Sequence, residues 1–172
     1  LILSENKFKK EFEKKEKLKK LLNQKIRKII EEEIKKARKK HRSNGSQTEF
    51  SLTPEAKELS EEFESNKGKL PWPLSKGIVV QPYGKQQHDV FKTVETFNNG
   101  VDIATEKNAP IRSVFDGHIS RIFFIKGEGK AILINHGEYF TVYSGLKEIS
   151  VKVGEKIFAK EKIGVVITQE SD

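Results

Sequence analysis

The spacing of apolar residues in the first quarter of the chain predicts one long helix. Apolar side chains recur mostly at steps of three and four, with Lys and Glu between them, which is the period of an α-helix. A helix from Ser4 to Lys40 would be about 55 Å long, and its narrow apolar stripe is typical of a coiled-coil strand. Its partner would be a second copy of the chain or an antiparallel helix upstream of Leu1. The stripe consists of Phe8, Phe12, Leu18, Leu22, Ile26, Ile29, Ile30, Ile34 and Ala37.

A second, shorter helix is predicted after a polar break. Residues 43–48 contain turn-forming residues without periodicity and therefore predict a hinge. Thr53 then offers an N-cap and Pro54 a first helical residue for a helix over residues 53–66. This helix is either packed permanently on the following domain or a detachable, autoinhibitory cover over a binding surface. Its one-sided apolar face consists of Ala56, Leu59 and Phe63.

From residue 70 onward the chain changes to short runs of β-branched and aromatic residues bounded by Gly, Pro, Asp or Asn. This texture predicts a mostly antiparallel β domain. It leaves no room for βαβ crossovers, which excludes Rossmann and P-loop folds. The fold class is therefore α+β, with a coiled-coil helix over 1–44, a linker and short helix over 45–69, and a β domain over 70–172. The predicted strands are Ile78–Val80, Val101–Ala104, Ile111–Phe115, Ile119–Ile125, Ala131–Asn135, Phe140–Tyr143, Val151–Val153 and Ile163–Ile167.

The net charge of +8 is unevenly distributed. Residues 1–44 hold 17 Lys and Arg against 7 Asp and Glu, whereas the remainder holds 16 against 18. The basic character thus belongs to the long helix, where Lys alternates with Glu as on a solvated face. We expect no nucleic-acid partner, and a basic helix lying on nucleic acid or anionic lipid is the alternative.

Composition narrows the chemistry further. The chain has no Cys, which excludes disulfides, thiolate zinc sites and thiol catalysis. It contains neither an apolar run long enough to span a membrane nor the apolar core of a signal peptide. The start at Leu1 and the lack of any Met indicate a processed or trimmed fragment.

Several blocks in order resemble a known family. The segments 97–104, 109–117, 139–146 and 153–157 read FNNGVDIA, APIRSVFDG, YFTVYSGL and VGEKI. They resemble the lysostaphin-type (LytM-domain) zinc peptidases, which cut peptidoglycan cross-links, over about residues 70–167. Together with the preceding helices, the arrangement resembles the EnvC-type murein hydrolase activators of the bacterial envelope.

The resemblance also marks what is missing from this chain. Active members carry a zinc-binding His where this chain has Asn98, and a zinc-binding Asp where it has Asp102. A second His, which assists the chemistry, is replaced by Gly145, and no His follows Ile163 to supply the third ligand. Since a catalytic zinc ion needs about three protein ligands, the resemblance implies a degenerate domain without catalytic residues, metal or other cofactor.

Two further interpretations concern the remaining polar residues. A cryptic metal site from His88, Asp102 and His136 is one hypothesis, and an active zinc endopeptidase is the less favoured alternative. The resemblance also implies a vestigial groove that holds a partner, although such side chains on strands commonly serve packing alone. The groove residues are His88, Asn98, Asp102, Arg112, Tyr143 and Gly145.

The functional prediction is a non-catalytic activator of an N-acetylmuramoyl-L-alanine amidase in cell division and daughter-cell separation. The resemblance implies a periplasmic or cell-envelope location, with recruitment through the coil to a division-site ABC transporter. A peptidoglycan-binding or scaffolding module with a coiled-coil handle is the main alternative. A lipoyl or biotinyl carrier, suggested by the rhythm of residues 149–167, lacks the Met-Lys-Met modification site.

Overall fold

The computed structural model of the chain describes residues 2–42, 53–90, 92 and 95–168. The first helix, α1 (Ile2–Arg42), confirms the long helix predicted from the apolar spacing. The predicted hinge over 43–48 lies outside the described residues. Among the described residues, no helix combines the length and the hydrophobicity needed to cross a bilayer.

The second helix, α2 (Pro54–Ser65), begins as its sequence predicts. The hydroxyl of Thr53 accepts a hydrogen bond from the backbone N–H of Ala56 at 3.2 Å, and Pro54 occupies the first turn. The first backbone N–H groups of a helix have no partner within the helix, and the Thr53 cap satisfies one of them. Pro54 has no backbone N–H, so it adds no unsatisfied donor.

The described residues after α2 form ten strands, and they confirm an α+β fold whose β part is mostly antiparallel. Their bounds are β1 (Ile78–Gln81), β2 (Gly84–Gln87), β3 (Glu95–Asn98), β4 (Asp102–Ala104), β5 (Pro110–Arg112), β6 (Gly117–Ile125), β7 (Gly129–Asn135), β8 (Phe140–Ile149), β9 (Lys156–Ile157) and β10 (Lys162–Val166). β1 pairs with β4, β2 pairs with β3, and the other six form one sheet in the order β5-β10-β8-β7-β6-β9.

The core of the six-stranded sheet is centred on β7. This strand pairs with β6 on one side and β8 on the other. The run Ala131–Ile134 is fully buried, so both faces of the strand are covered. Such a continuous apolar run is typical of a central strand, whereas half-exposed strands alternate. The other fully buried aliphatic side chains nearby are Ile119, Leu146, Ile157 and Ile163.

Several strand predictions need correction. The predicted strand Ile111–Phe115 is observed as β5, which ends at Arg112. β2 and β3 were not expected, because β2 reads Gly-Lys-Gln-Gln and shows no apolar alternation. The predicted strand Val151–Val153 is wrong, since the chain turns there. The N–H of Glu155 donates to the carbonyl of Lys152 at 3.1 Å, and Gly154 adopts a φ of +87°. The turn leads into β9, which is only two residues long.

The chain divides into two compact units. Unit 1 comprises Leu1–Lys36 and Val79–Ala104, and unit 2 comprises Ala37–Ile78 and Thr105–Asp172. Unit 1 therefore joins most of α1 to β2, β3, β4 and all of β1 except its first residue, and unit 2 joins α2 to the six-stranded sheet. The boundaries predicted after residues 44 and 69 stay a prediction.

Candidate functional site

In unit 1, the turn between β3 and β4 brings Asn98 and Asp102 together. Asn98 is 4% exposed and its side-chain amide donates to Asp102 Oδ1 at 3.4 Å and to the carbonyl of Gln81 at 3.2 Å. Its Oδ1 accepts from the N–H of Gly100 at 3.4 Å. Each polar atom of the amide thus has a protein partner, as a buried polar group requires.

Helix α1 supplies the cation that faces this pair. The Lys19 ammonium group lies 3.3 Å from Asp102 Oδ2 and donates to Gln81 Oε1 at 2.7 Å. Asp102 therefore has one carboxylate oxygen on the Asn98 amide and the other on a lysine. Beside this contact, α1 and the end of β3 enclose a cavity of about 710 Å³, whose lining includes Lys19, Ile30 and Phe97.

Asn98 and Asp102, where the resemblance places two zinc ligands, do not converge as a pair of zinc-binding donors. The amide nitrogen of Asn98 points at Asp102 as a donor, and the amide oxygen accepts from Gly100, so the atom of Asn98 nearest the carboxylate carries no lone pair for a metal. Zinc binding needs about three such donors. In the parts of the chain that the structure describes, no group of three or more His, Asp or Glu side chains is placed to hold a metal.

His88, also in unit 1, contacts α1 through its ring. Its ring meets Phe12 edge to face with the centroids 4.6 Å apart. Its Nδ1 accepts a hydrogen bond from the N–H of Val90 at 3.2 Å. When the ring is neutral, the proton therefore resides on Nε2. The prediction that His88 lines a partner groove stays a prediction.

Unit 2 holds the other predicted groove residues. Gly145 has a φ of +74°, in the left-handed region that glycine adopts without strain. It lies on β8 next to irregularities in the pairing with β7 and β10. The backbone at this position is therefore shaped for glycine, and a His here would be strained.

The contacts of Arg112 and Tyr143 are structural ones. Arg112 Nε donates to the carbonyl of Trp72 at 3.1 Å, and its backbone N–H donates to that of Pro73 at 2.9 Å. Tyr143 is 7% exposed, and its hydroxyl accepts from the N–H of Val114 at 3.0 Å. These bonds fasten β5 to the Pro-Trp-Pro segment and β8 to the chain after β5.

A buried histidine in unit 2 forms a polar network that the sequence patterns did not reveal. His136 is fully buried, with Nδ1 2.6 Å from the carbonyl of Asp116 and Nε2 2.7 Å from the Thr141 hydroxyl. The Thr141 hydroxyl lies 3.1 Å from that of Tyr143. One sequence signal could have indicated this network. The turn residues Asn135-His136-Gly137 are followed within a few positions by the polar residues Thr141 and Tyr143.

The direction of these hydrogen bonds follows from counting protons. The Asp116 carbonyl can only accept, so Nδ1 of His136 carries the proton. In the neutral ring Nε2 then accepts the single Thr141 hydroxyl proton, and Tyr143 in turn donates to Thr141. Burial lowers the pKa of His136 below 6.5, although the Asp116 carbonyl opposes this, while burial raises the pKa of Tyr143. Both shifts favour the uncharged forms that this chain of bonds requires.

The predicted apolar face of α2 is the face that packs in unit 2. Ala56, Leu59 and Phe63 are half-buried, and Ser60, which was not predicted, is 5% exposed. The Phe63 ring stacks on those of His136 and Tyr139 at 4.8 and 5.1 Å and meets Phe115 edge to face at 5.4 Å.

A close backbone approach completes the packing of α2. The Ser60 hydroxyl donates to the carbonyl of Ala56 at 2.9 Å and accepts from the N–H of Glu138 at 2.7 Å. A side chain on Gly137 would collide with the Ser60 hydroxyl and the Ala56 carbonyl, and this glycine has a φ of +96°. Only glycine fits between the turn and the helix.

Comparisons with known proteins agree on the fold. Residues 96–172 match the family described as Peptidase family M23. An "Uncharacterized metalloprotease" of Buchnera aphidicola subsp. Baizongia pistaciae is 39% identical over 69 residues, which are 40% of this chain and 18% of that protein. The chain spans less than a fifth of the length of the curated relatives it matches.

Solved structures lead to the same family. A zinc-containing peptidase from Vibrio cholerae is 27% identical with a TM-score of 0.50, covering 58% of this chain and 33% of that one. The catalytic domain of the prophage-encoded M23 protein EnpA from Enterococcus faecalis shares the fold at 22% identity, with a TM-score of 0.50 and coverage of 58% and 75%. Residues 96–172 therefore carry an M23 peptidase-family (LytM-type) domain.

Proposed function

We propose that this chain is a non-catalytic activator of a cell-wall amidase, built on an M23-type domain that has lost hydrolysis. The observation that carries the proposal is the state of the two vestigial ligand positions. Asn98 presents a donor to Asp102, and Lys19 supplies the positive charge that a metal would otherwise bring to that carboxylate. An aspartate held between an amide and an ammonium group has no role in activating water.

The backbone at Gly145 supports the same proposal independently. Its left-handed conformation would strain a His, so the backbone at this position favours glycine. Restoring both residues, as Asn98→His with Gly145→His, should leave the chain without hydrolytic activity, because a third zinc ligand is still missing and the backbone at residue 145 disfavours a His. Zinc-dependent hydrolysis by this double variant would show that two substitutions restore the activity, and it would contradict the role given to the backbone at residue 145.

Activation would be a shift between two states of the amidase. The chain can raise amidase activity only by binding the active state more tightly than the inactive one. We infer that α2 keeps the activator closed through Phe63, and that α1 recruits it to a division-site ABC transporter in the cell envelope. The segmented architecture supports this division of roles, because each helix packs in a different unit.

The test is dye release from labelled peptidoglycan sacculi by the chain alone, by a cognate envelope amidase alone, and by the mixture. The proposal expects release above that of the amidase only in the mixture. Phe63→Ala should increase the stimulation, because truncating the ring removes three ring contacts of α2. Phe158→Ala, at an exposed phenylalanine of the same unit, is the matched control and should behave as the unmodified chain.

Two results would overturn the proposal. Release by the chain alone that a chelator abolishes would identify a working zinc peptidase. No stimulation by the chain, by Phe63→Ala or by a variant lacking residues 46–67 would exclude an activator, and co-sedimentation of the chain with sacculi would then favour the scaffolding module.

A further inference from the structure

The outward face of α1 carries a continuous stripe of lysines. At about 100° per residue, positions spaced alternately by three and four fall within an arc of about 80° on the helix. Within unit 1 this arc contains seven lysines, two leucines and one glutamate. We call it the lysine stripe: Leu3, Lys7, Lys10, Lys14, Lys17, Leu21, Lys25, Lys28, Glu32 and Lys35.

The lysine stripe is exposed and separate from the packed face of the helix. All seven lysines are exposed, and the half-buried residues Phe12, Lys19 and Ile26 lie on the opposite side. Glu32 is the one half-buried member of the stripe. The other glutamates of α1 within this unit lie outside the arc. Lys10, Lys14 and Lys17 form no ion pair with a described residue.

The lysines along this row repel one another, because like charges at spacings of three and four are neighbours on a helix. Glu11 and Glu13 flank the row and offset only part of this repulsion. The repulsion is relieved when a negatively charged surface neutralises the row. The stripe is straight and about 48 Å long from Leu3 to Lys35, so the complementary surface is extended and flat.

We propose that the lysine stripe lies on an anionic lipid bilayer. The stripe contains lysines but no arginine. Lysine ammonium groups are attracted to many lipid headgroups at once, whereas arginine is the residue that binds single phosphates in a bidentate manner. Leu3 is 87% and Leu21 62% exposed in the same arc, and a bilayer interface accepts such side chains beside the ammonium groups. A nucleic-acid backbone offers them no apolar contact. This inference does not depend on the amidase proposal.

The experiment uses the full chain and co-sedimentation with vesicles. One set contains phosphatidylglycerol and phosphatidylcholine in equal parts, and the other contains phosphatidylcholine alone. Binding should require the anionic lipid and weaken steeply between about 0.05 and about 0.5 M salt. The triple variant Lys10→Gln, Lys14→Gln, Lys17→Gln should bind about 100-fold more weakly, since each lysine near an anionic surface adds roughly a factor of five.

The matched control removes the same charge from outside the stripe. Lys9→Gln, Lys15→Gln, Lys20→Gln changes three exposed lysines of α1 at other positions around the helix, and it should lose less than about tenfold. Glutamine is a good helix former, so circular dichroism should be unchanged in both variants.

Three results would overturn the proposal. Equal losses in the two triple variants would show that net charge and not the stripe decides binding. Equal binding to neutral and anionic vesicles would remove the electrostatic basis. Tighter binding to a DNA duplex than to anionic vesicles, with the same dependence on the stripe, would assign the surface to nucleic acid instead.

Discussion

The two helices are held in their units by different physics. α1 is long and basic. Its described contacts in unit 1 include the partly exposed ion pair of Lys19 with Asp102 and the edge-to-face contact of Phe12 with His88. α2 is short and acidic, yet it places Phe63 among three rings and Ser60 against a backbone turn. The packing of α1 thus depends partly on an ion pair, and the packing of α2 depends on the steric fit of its side chains.

Because of this difference, we expect salt to weaken the contacts of α1 in unit 1 and pH to affect the packing of α2 in unit 2. Screening weakens an ion pair between partly exposed groups, so salt acts on the Lys19–Asp102 contact. Ring stacking and steric fit are insensitive to salt. The packing of α2 is instead sensitive to pH, because the ring beneath Phe63 is a histidine.

The largest effect on stability is expected at Gly137, where the backbone of the turn after β7 packs closely against α2. Gly137→Ala should lower the free energy of unfolding by about 3 kcal/mol or more, because the new methyl group collides with α2 and the residue is left-handed. Urea unfolding measures the change. Gly127→Ala is the control, since Gly127 has a φ of +87° with open space around it, and it should cost only about 1 kcal/mol. Equal losses would mean that α2 is not held at this turn.

An intermediate effect is expected from pH. The folded pKa of His136 is lowered, mainly by burial, so between the folded and unfolded values the unfolded chain binds more protons. The stability that depends on this residue is complete above about pH 6.5 and is lost as the pH falls through the lowered folded pKa. Urea midpoints from about pH 8 to about pH 5 should therefore fall, and less so in His136→Gln.

The control for the pH series is an exposed histidine on β6. His118→Gln should keep most of the fall in the urea midpoint, since this side chain is exposed and its charge lowers the pKa of His136 less than burial does. A fall that is identical in the unmodified chain and in His136→Gln would place the pH dependence elsewhere.

The smallest effect is expected at the ion pair of α1. Lys19→Met keeps the aliphatic stem and removes the charge, so the free energy of unfolding should change by less than about 1 kcal/mol. The difference should vanish at about 0.5 M salt. Lys36→Met, which removes an exposed pair with Glu33 on the same helix, is the control. A loss several times larger for Lys19 would show that this contact organises unit 1.

Sequence patterns predicted the helices well because both follow strong local rules. The long apolar period defines α1, and Thr53 with Pro54 defines the start of α2. The strand prediction failed where such rules are absent. β2 is polar throughout, and Val151–Val153 has a strand composition although the tertiary structure turns the chain there.

The site was predictable only in part. The resemblance identified Asn98 as an altered ligand position and Asp102 as a retained one, and the structure brings these two into contact. The partner of Asp102 was not predictable, because Lys19 is one of many similar lysines and is 83 residues away in sequence. The same holds for the Ser60 contact with the turn after β7, since sequence periodicity assigns a helix face but not the surface beneath it.

The His136 ring also provides a natural spectroscopic reporter. Its proton resides on Nδ1, bonded to the Asp116 carbonyl in a fully buried position, so exchange with solvent requires opening of the structure. The stacked Phe63 ring shifts the resonances of the atoms beneath it. A single imidazole signal in a nitrogen-edited NMR spectrum therefore reads out, without any label on the helix, whether α2 is in place.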